Sequence, residues 1–225
     1  MAVEFDGTNG YLDFGAIVNN QTVKSVTAWI YLDTVVPVQG IVAKSGAGWV
    51  LAANTNDLYY EQACGTSAVF GEVANVLSVS TNYHVAVTHD VSSGTILPVL
   101  YLNGVLQVLT SSGTASGTMG DDSDGTVVIG AAMGASHYHL DGKIQDVRIY
   151  NRILSANEIL ALYNSRCLRN VMNGLVFWAP MWGANADTFE GNTLSASETV
   201  VDWIGGAVGV PTGSPIGIGN TFQGN

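Results

Sequence analysis

The segment LDGKIQDVRIYNRILSANEILALY, residues 140–163, decides the fold class of this chain. Its first half reads as a buried strand, in which charged residues sit inside an apolar run. One face of this strand would carry two charges within an apolar run: Ile144, Asp146, Arg148 and Tyr150. The other face would carry the intervening residues: Lys143, Gln145, Val147 and Ile149. The pattern is typical of a structural strand and carries no catalytic signature.

The second half of the same segment predicts a short helix over residues 155–164. Ser155 and Glu158 have the Ser-x-x-Glu spacing of a capping box, in which the two side chains satisfy backbone amides at a helix start. An apolar face follows: Ile159, Leu160, Leu162 and Tyr163. We therefore expect one short helix that packs against the preceding strand.

The composition favours an all-β protein. The chain has 225 residues, of which 47% are hydrophobic, 11% are charged and 27 are glycine, as suits short strands joined by tight turns. Asn103-Gly104 is the clearest hairpin turn, since a type I′ turn requires positive φ. Strand signals recur every 8 to 12 residues, a spacing that predicts a sandwich or a barrel.

Six segments in order carry a family resemblance: FDGTNGYLDFG, VTAWIYLD, IVAKSG, YHVAVTHD, LYLNGV and DGKIQDVRIYNRILSANEILALY. Over residues 2–164 the chain resembles a laminin G-like, concanavalin A-like jelly roll. The resemblance implies two curved antiparallel sheets packed face to face, with the short helix against one edge. We take residues 1–165 as this domain.

Residues 166–225 form a C-terminal β extension outside that pattern. The stretch GLVFWAPMWG, residues 174–183, is similar to the strand that opens a domain of this family ahead of the FDGTNG element. One hypothesis is that the opening strand has moved to the C-terminus, where it completes either its own sandwich or a neighbouring subunit's. The alternative is a small accessory β subdomain that packs nearby.

Charge and hydropathy limit the partners. The formal net charge is −11, and residues 1–120 hold two lysines against eight acidic residues, so phosphate backbones would be repelled. We therefore expect no nucleic acid partner. No stretch approaches the ~20 apolar residues of a membrane span, so we expect no membrane insertion. The start MAVEFDG lacks the basic and apolar regions of a signal peptide, so we expect synthesis without export.

Catalytic signatures are missing from the sequence. Glycosidases of this superfamily place acidic residues on alternate positions of one inner strand, and no such ladder occurs here. Glu4 and Asp6 would share a strand face, but no third carboxylate follows them before the glycine turn. Motifs of serine hydrolases, zinc proteases and phosphate-binding loops do not occur either. We expect no enzymatic activity.

Calcium is the one cofactor that the resemblance suggests. Relatives of this fold often hold a structural Ca²⁺ where the first strands meet the closing strand, and Asp6 and Asp146 occupy matching motif positions. Carboxylate oxygens are ligands that Ca²⁺ prefers. The alternative for Asp146 is a salt bridge to Arg148 or a role in capping a turn.

Aromatic residues are the candidates for ligand contacts. Sugar-binding faces use exposed aromatic rings, and Trp49, Tyr59, Tyr60 and Tyr138 lie at predicted strand ends or loops. Tyr59 and Tyr60 are adjacent in a strand, so they must point to opposite faces.

Two non-enzymatic functions compete. The preferred prediction is a phage virion surface protein, capsid-decorating or tail-associated, located in the virion. Its C-terminal extension would contact other virion subunits or copies of itself, and it would also contact glycans. The alternative is a carbohydrate-binding, lectin-like module that is secreted or on the cell surface. Both rest on the fold resemblance.

Overall fold

The computed structural model describes residues 2–46, 48–132, 138–165, 169–181, 200–212 and 216–219. Within these ranges the chain forms many short strands and one helix. The strands are β1 (Ala2–Asp6), β2 (Tyr11–Asp13), β3 (Val23–Leu32), β4 (Gln39–Lys44), β5 (Trp49–Asn54), β6 (Asp57–Cys64), β7 (Ser67–Val73), β8 (Asn82–Asp90), β9 (Val99–Leu102), β10 (Val105–Leu106), β11 (Ser111–Gly113), β12 (Val127–Ile129), β13 (Asp141–Tyr150), β14 (Leu175–Ala179), β15 (Val200–Val201), β16 (Val208–Thr212) and β17 (Ile216–Gly219), and the helix is α1 (Ala156–Asn164).

The strands form two antiparallel sheets. One has eight strands in the order β10-β9-β8-β3-β13-β1-β17, with β14 also paired to β13. The other has nine, in the order β11-β7-β6-β5-β4-β12-β2-β16-β15. Their inner faces enclose the main hydrophobic core, which contains Ile30, Leu51 and Phe177 among many others. The predicted all-β jelly-roll sandwich with one short helix is confirmed.

Local turn chemistry follows the sequence. Asn103 and Gly104 join β9 to β10 with φ of 51° and 78°, the positive values that a type I′ turn demands. Ser155 caps α1: its hydroxyl accepts from the amide of Glu158, and the Glu158 carboxylate accepts from the amide of Ser155. The capping box predicted from Ser-x-x-Glu is thus present.

Strand β13 departs from simple alternation. Its pairing with β3 shifts register between Gln145 and Arg148, and Asp146 has a φ of 53°. This β-bulge changes which residues face the core: Ile144 lies in the main core before it, and Val147 and Ile149 lie there after it. The predicted common face of Ile144 with Asp146, Arg148 and Tyr150 is therefore wrong, because an extra residue in a strand reverses the side-chain alternation.

The bulge places a buried ion pair on the outer face of the eight-stranded sheet. Arg148 is fully buried and donates through Nε to Asp146 Oδ1 at 2.9 Å and through Nη2 to Oδ2 at 3.1 Å. Trp178 donates from Nε1 to Asp146 Oδ1 at 2.6 Å, and the guanidinium carbon lies 4.6 Å from the Trp178 ring centroid. The bulge, β13 and β14 are thereby joined by side chains as well as by backbone.

Helix α1 covers the same outer face. Ile159 and Leu162 are buried in a second apolar cluster that includes Tyr150 and Trp178. Arg152 binds Glu158 at the helix start with Nη2 to Oε1 at 2.6 Å, and this hydrogen bond is the main reason that the pKa of Glu158 falls to about 2. Among the described residues, no helix has the length and apolar character needed to cross a membrane.

Strands from beyond residue 165 pair with both sheets. β14 and β1 lie on the same edge of β13: Ala179 is opposite Val147, and Val3 is opposite Ile144. Because both are antiparallel to β13, they run in one direction, end to end. β17 pairs with the other edge of β1, and β16 pairs with β2. We propose that strands β14, β16 and β17 complete the sandwich of their own chain.

One lysine is enclosed between the sheets. Lys24 has no exposed surface, and its Nζ donates to Gln62 Oε1 at 2.7 Å. Burial lowers the pKa of Lys24 to about 8, against the weaker opposing influence of Asp122 and Cys64. Since the ordinary value is 10.5, the folded protein releases this proton at a lower pH than the unfolded chain does.

Breaking the buried ion pair should destabilise the fold severely. Arg148→Met should lower the free energy of unfolding by about 3–5 kcal/mol, because Asp146 would stay buried without its cation. The matched control is Arg152→Met, which breaks a half-exposed pair and should cost about 1 kcal/mol or less. Urea denaturation measures the free energy of unfolding of both variants. Equal losses of stability would contradict the larger contribution that we assign to the buried pair.

The buried Lys24 should give the protein a distinctive pH dependence. Between pH 8 and 10.5 the unfolded chain binds more protons than the folded one, so Lys24 makes the free energy of unfolding rise with pH. Relative to Lys24→Met, the wild type should gain roughly 1–2 kcal/mol between pH 7.5 and 9.5. Urea denaturation of both proteins across this range is the measurement, and parallel pH profiles would refute the role of Lys24.

Truncation and mass separate the three roles considered for the C-terminal extension. A chain ending at residue 165 should lose cooperative unfolding, because it lacks Phe177 in the main core and Trp178 beside the ion pair. The full chain should have the mass of one chain, 23.5 kDa, in size-exclusion chromatography with light scattering.

The alternatives predict other outcomes for the same two experiments. A truncated chain that unfolds cooperatively with unchanged stability would support an accessory subdomain. A full-length oligomer that persists on dilution would instead support donation of the strand to a neighbouring subunit.

Candidate functional site

The outer face of the nine-stranded sheet has a floor of small side chains. Leu51 and Tyr60 of β5 and β6 point into the core, so their sequence neighbours point outward. The outward residues include a separate apolar cluster that is largely buried: Ala43, Val50, Ala52 and Ala132. Small side chains at adjacent positions on neighbouring strands leave room above the sheet. The result is a groove.

Aromatic rings flank this floor. Tyr59 on β6 and Phe70 on β7 are both half-buried, with ring centroids 6.0 Å apart and planes tilted by 31°. Tyr138, just before β13, is 44% exposed. These rings offer apolar faces beside a solvent-accessible depression.

Polar groups are interleaved with the rings. The Tyr59 hydroxyl donates to Glu61 Oε2, and Asn54 Nδ2 donates to Glu72 Oε2 at 3.4 Å. Burial raises the pKa of Tyr59, and the hydrogen bond to Glu61 and the negative charges of Glu61 and Glu72 raise it further. Tyr59 therefore remains a neutral hydrogen-bond donor at neutral pH.

Two adjoining cavities make up the depression. One, of about 280 Å³, is lined by the β4–β5 turn together with Val50 and Glu61. The other, of about 210 Å³, is lined by Val50, Glu61, Tyr59, Tyr138 and neighbouring residues. Since Val50 and Glu61 belong to both walls, the cavities form one outer groove along β5 and β6. From Gly48 to Asn54 a strand spans about 20 Å.

Two residues of the groove wall have left-handed backbone conformations. Val38 has a φ of 48° and Tyr138 a φ of 61°, and both line the smaller cavity. Such values are unfavourable for a β-branched or aromatic residue, and strained residues often occur at binding sites. The amide of Gly40 donates to the carbonyl of Tyr138 at 2.8 Å, which ties the two segments together.

The structure separates the four aromatic residues predicted to contact a ligand. Tyr59 and Tyr138 lie in the outer groove. Tyr60 is fully buried in the core beside His89, with ring centroids 5.4 Å apart, so it has no surface for a ligand. Trp49 is 3% exposed and packs in the same core, although it also contributes to the wall of the larger cavity.

The two predicted calcium ligands lie apart. Asp6 is opposite Asp141, five residues along β13 from Asp146, or roughly 15 Å along a strand. Asp6 Oδ1 accepts from the amides of Thr8, Asn9 and Gly10 at 3.0–3.3 Å, whereas Asp146 binds Arg148, the alternative foreseen for it. In the described part of the chain no three His, Cys, Asp or Glu residues cluster as metal ligands would. Calcium binding stays a prediction.

Sequence reasoning missed most of the polar groove residues. The polar residues Glu61, Glu72 and Asn54, together with the Phe70 ring, come together through strand pairing: Glu61 lies opposite Phe70, and Tyr59 lies opposite Glu72. The alternation of β6 is visible in the sequence and places Glu61 on the face of Tyr59. The contribution of β7 needs the register of the two strands.

The comparisons with known proteins agree with this fold. A family model described as the concanavalin A-like lectin/glucanases superfamily matches residues 6–160. A search of curated proteins returns no match for the chain.

Solved structures extend the likeness to carbohydrate-binding proteins. A Bacteroides ovatus protein named as a candidate carbohydrate-binding protein is 18% identical, with a TM-score of 0.65 over 98% of this chain, and the chain spans 60% of that protein. A carbohydrate-binding module, CBM40, of a Ruminococcus gnavus sialidase is 15% identical, with a TM-score of 0.59. The alignment covers 72% of this chain and 96% of that module.

Domain 4 of an extracellular arabinanase from Geobacillus stearothermophilus, solved with arabinotriose, is 17% identical, with a TM-score of 0.55. The alignment covers 72% of this chain and 76% of that domain. At these identities the likeness shows the fold alone.

Proposed function

Because the chain belongs to the concanavalin A-like lectin/glucanases superfamily, we propose that it is a carbohydrate-binding module that holds a glycan chain in its outer groove. The observation that carries the proposal is the juxtaposition of aromatic rings and hydrogen-bonding side chains on one open sheet face. Tyr59, Tyr138 and Phe70 supply the rings, and Glu61 and Asn54 supply the polar groups.

The chemistry of these groups suits a sugar. A pyranose or furanose ring has apolar C–H faces that pack on aromatic rings, and its hydroxyls both donate and accept hydrogen bonds. Specific sites combine an apolar lining with a few polar groups that fix orientation. Because the groove runs about 20 Å along β5, it suits an oligosaccharide better than a single sugar.

The proposed role is binding without catalysis. The related structures include carbohydrate-binding domains of larger enzymes, a sialidase and an arabinanase among them. In this groove the two nearest carboxylates, Glu61 and Glu72, are each engaged by a neighbouring hydrogen-bond donor, Tyr59 and Asn54 respectively. They serve here as acceptors for sugar hydroxyls.

The related structures favour this module over the virion surface protein expected first. The structures compared are carbohydrate-binding proteins or domains, and they lend no support to capsid decoration or tail association. An extracellular or cell-surface location belongs to the proposal, since that is where polymeric glycans are met.

Removing a groove tyrosine should weaken glycan binding without unfolding the protein. Tyr59→Ala and Tyr138→Ala should each weaken binding to a retained polysaccharide by about tenfold or more, because each deletes a ring face. The ligand is first chosen by affinity electrophoresis against a panel of neutral and acidic polysaccharides. Calorimetry with the corresponding oligosaccharide then gives the dissociation constants.

The matched control is Tyr31→Ala. Tyr31 is a half-buried tyrosine on the eight-stranded sheet, where it contacts Lys143. This variant should bind as the wild type does. Binding to no glycan in the panel would refute the proposed function, and binding that the two groove variants leave unchanged would refute the groove as its site.

A further inference from the structure

Among the lysines and arginines that the structure describes, none offers a usable cation to the outer groove. Lys44 lines one end of the larger cavity but is only 2% exposed, and its Nζ donates to Ile17 O, Asn19 Oδ1 and Gly125 O at 2.6–2.7 Å. Its charge is therefore directed away from the groove and is already bound by three oxygens.

The other basic residues described lie elsewhere. Lys24 is enclosed in the core, and Lys143 faces Glu4 and Asp33 at the eight-stranded sheet. Arg148 is buried with Asp146, and Arg152 is paired with Glu158. Arg169 lies over the ring of Trp203, 5.7 Å from its centroid. Arg166 falls outside the described residues, and residues 133–137, also outside them, contain no lysine or arginine in the sequence.

One carboxylate lies in the groove wall instead, and a second lies next to it. Glu61 lies in the wall shared by both cavities, and Glu72 is opposite Tyr59 on the next strand. A carboxylate is an acceptor only, with about four lone-pair positions on its two oxygens. Tyr59 uses one position of Glu61 and Asn54 uses one of Glu72, so several remain for donors from a ligand.

We propose that the outer groove selects neutral sugars and rejects acidic ones such as sialic and uronic acids. The inference rests on the proposed function and adds a ligand class to it. Neutral sugar hydroxyls donate to the free positions of Glu61 and Glu72. A sugar carboxylate would meet the charge of Glu61, with Glu72 close by, and no arginine or lysine of the described residues would bind it; like-charge contact in a partly desolvated site is strongly unfavourable.

The experiment compares neutral glycans with glycans that carry carboxylates. Calorimetry and affinity electrophoresis with the full chain at low salt would use galactan against polygalacturonate, and lactose against sialyllactose, besides arabinan oligosaccharides. Each acidic ligand should bind at least about tenfold more weakly than its neutral partner. High salt should reduce this difference, because the Debye length shortens to about 3 Å at 1 M.

Two charge variants assign the rejection to the groove. Glu61→Gln keeps the shape and one acceptor for Tyr59 but removes a charge, so the ratio of neutral to acidic affinity should fall by at least about threefold. Glu4→Gln removes a charge of the eight-stranded sheet, where Glu4 is 45% exposed, and should leave the ratio unchanged. This control separates a local effect from that of net charge.

The outcomes distinguish this inference from the function beneath it. Binding of neutral glycans with rejection of acidic ones, relieved by Glu61→Gln alone, supports both. Acidic glycans that bind as tightly as neutral ones would overturn the inference and leave the module intact. Equal relief by Glu4→Gln would overturn the assignment to the groove, and binding to no glycan would overturn the proposed function together with the inference.

Discussion

The bidentate ion pair between Asp146 and Arg148 is the constraint on which the eight-stranded sheet depends. Two charges inside a protein cost several kcal/mol each in lost hydration, and only good geometry with further hydrogen bonds offsets that cost. Trp178 donates one such hydrogen bond to Asp146. Arg148 donates through Nη1 to Asn170, whose backbone carbonyl accepts at 3.2 Å and whose side-chain oxygen accepts at 3.4 Å. The pair therefore needs residues from beyond the helix, so β13 and the C-terminal extension are energetically coupled.

The same bulge shows where the sequence stops predicting the fold. Capping at Ser155, the hairpin at Asn103-Gly104 and the sandwich architecture depend on short-range patterns, and all three can be read from the sequence. The bulge at Asp146 cannot be read from the sequence, because the same residues would form an equally apolar strand with or without an interruption of the alternation. The charged residues inside that apolar run are the sequence feature that points to this site, because an aspartate and an arginine two residues apart must form an ion pair when both are buried.

The groove is partly predictable for a related reason. Adjacent residues of a strand point to opposite faces, so one of Tyr59 and Tyr60 had to leave the core, but only the full burial of Tyr60 identifies which. Trp49 is an aromatic residue at a strand end, and it fills the core. Composition alone does not distinguish this position from an exposed one at the surface. Glu72 and Phe70 reach the groove through the register of β6 and β7, which is a long-range property of the sheet.

The two outer faces of the sandwich meet opposite requirements. Helix α1 and Trp178 cover the outer face of the eight-stranded sheet, so large side chains such as Tyr150 can stand on it. The corresponding face of the nine-stranded sheet stays open at the groove. A wide uncovered apolar surface would promote association, yet Ala43, Ala52 and Ala132 add little apolar area, and Glu61 and Glu72 bring charge. The small side chains and carboxylates that limit the apolar area of this open face also give the groove its depth and its acceptors for hydroxyl donors.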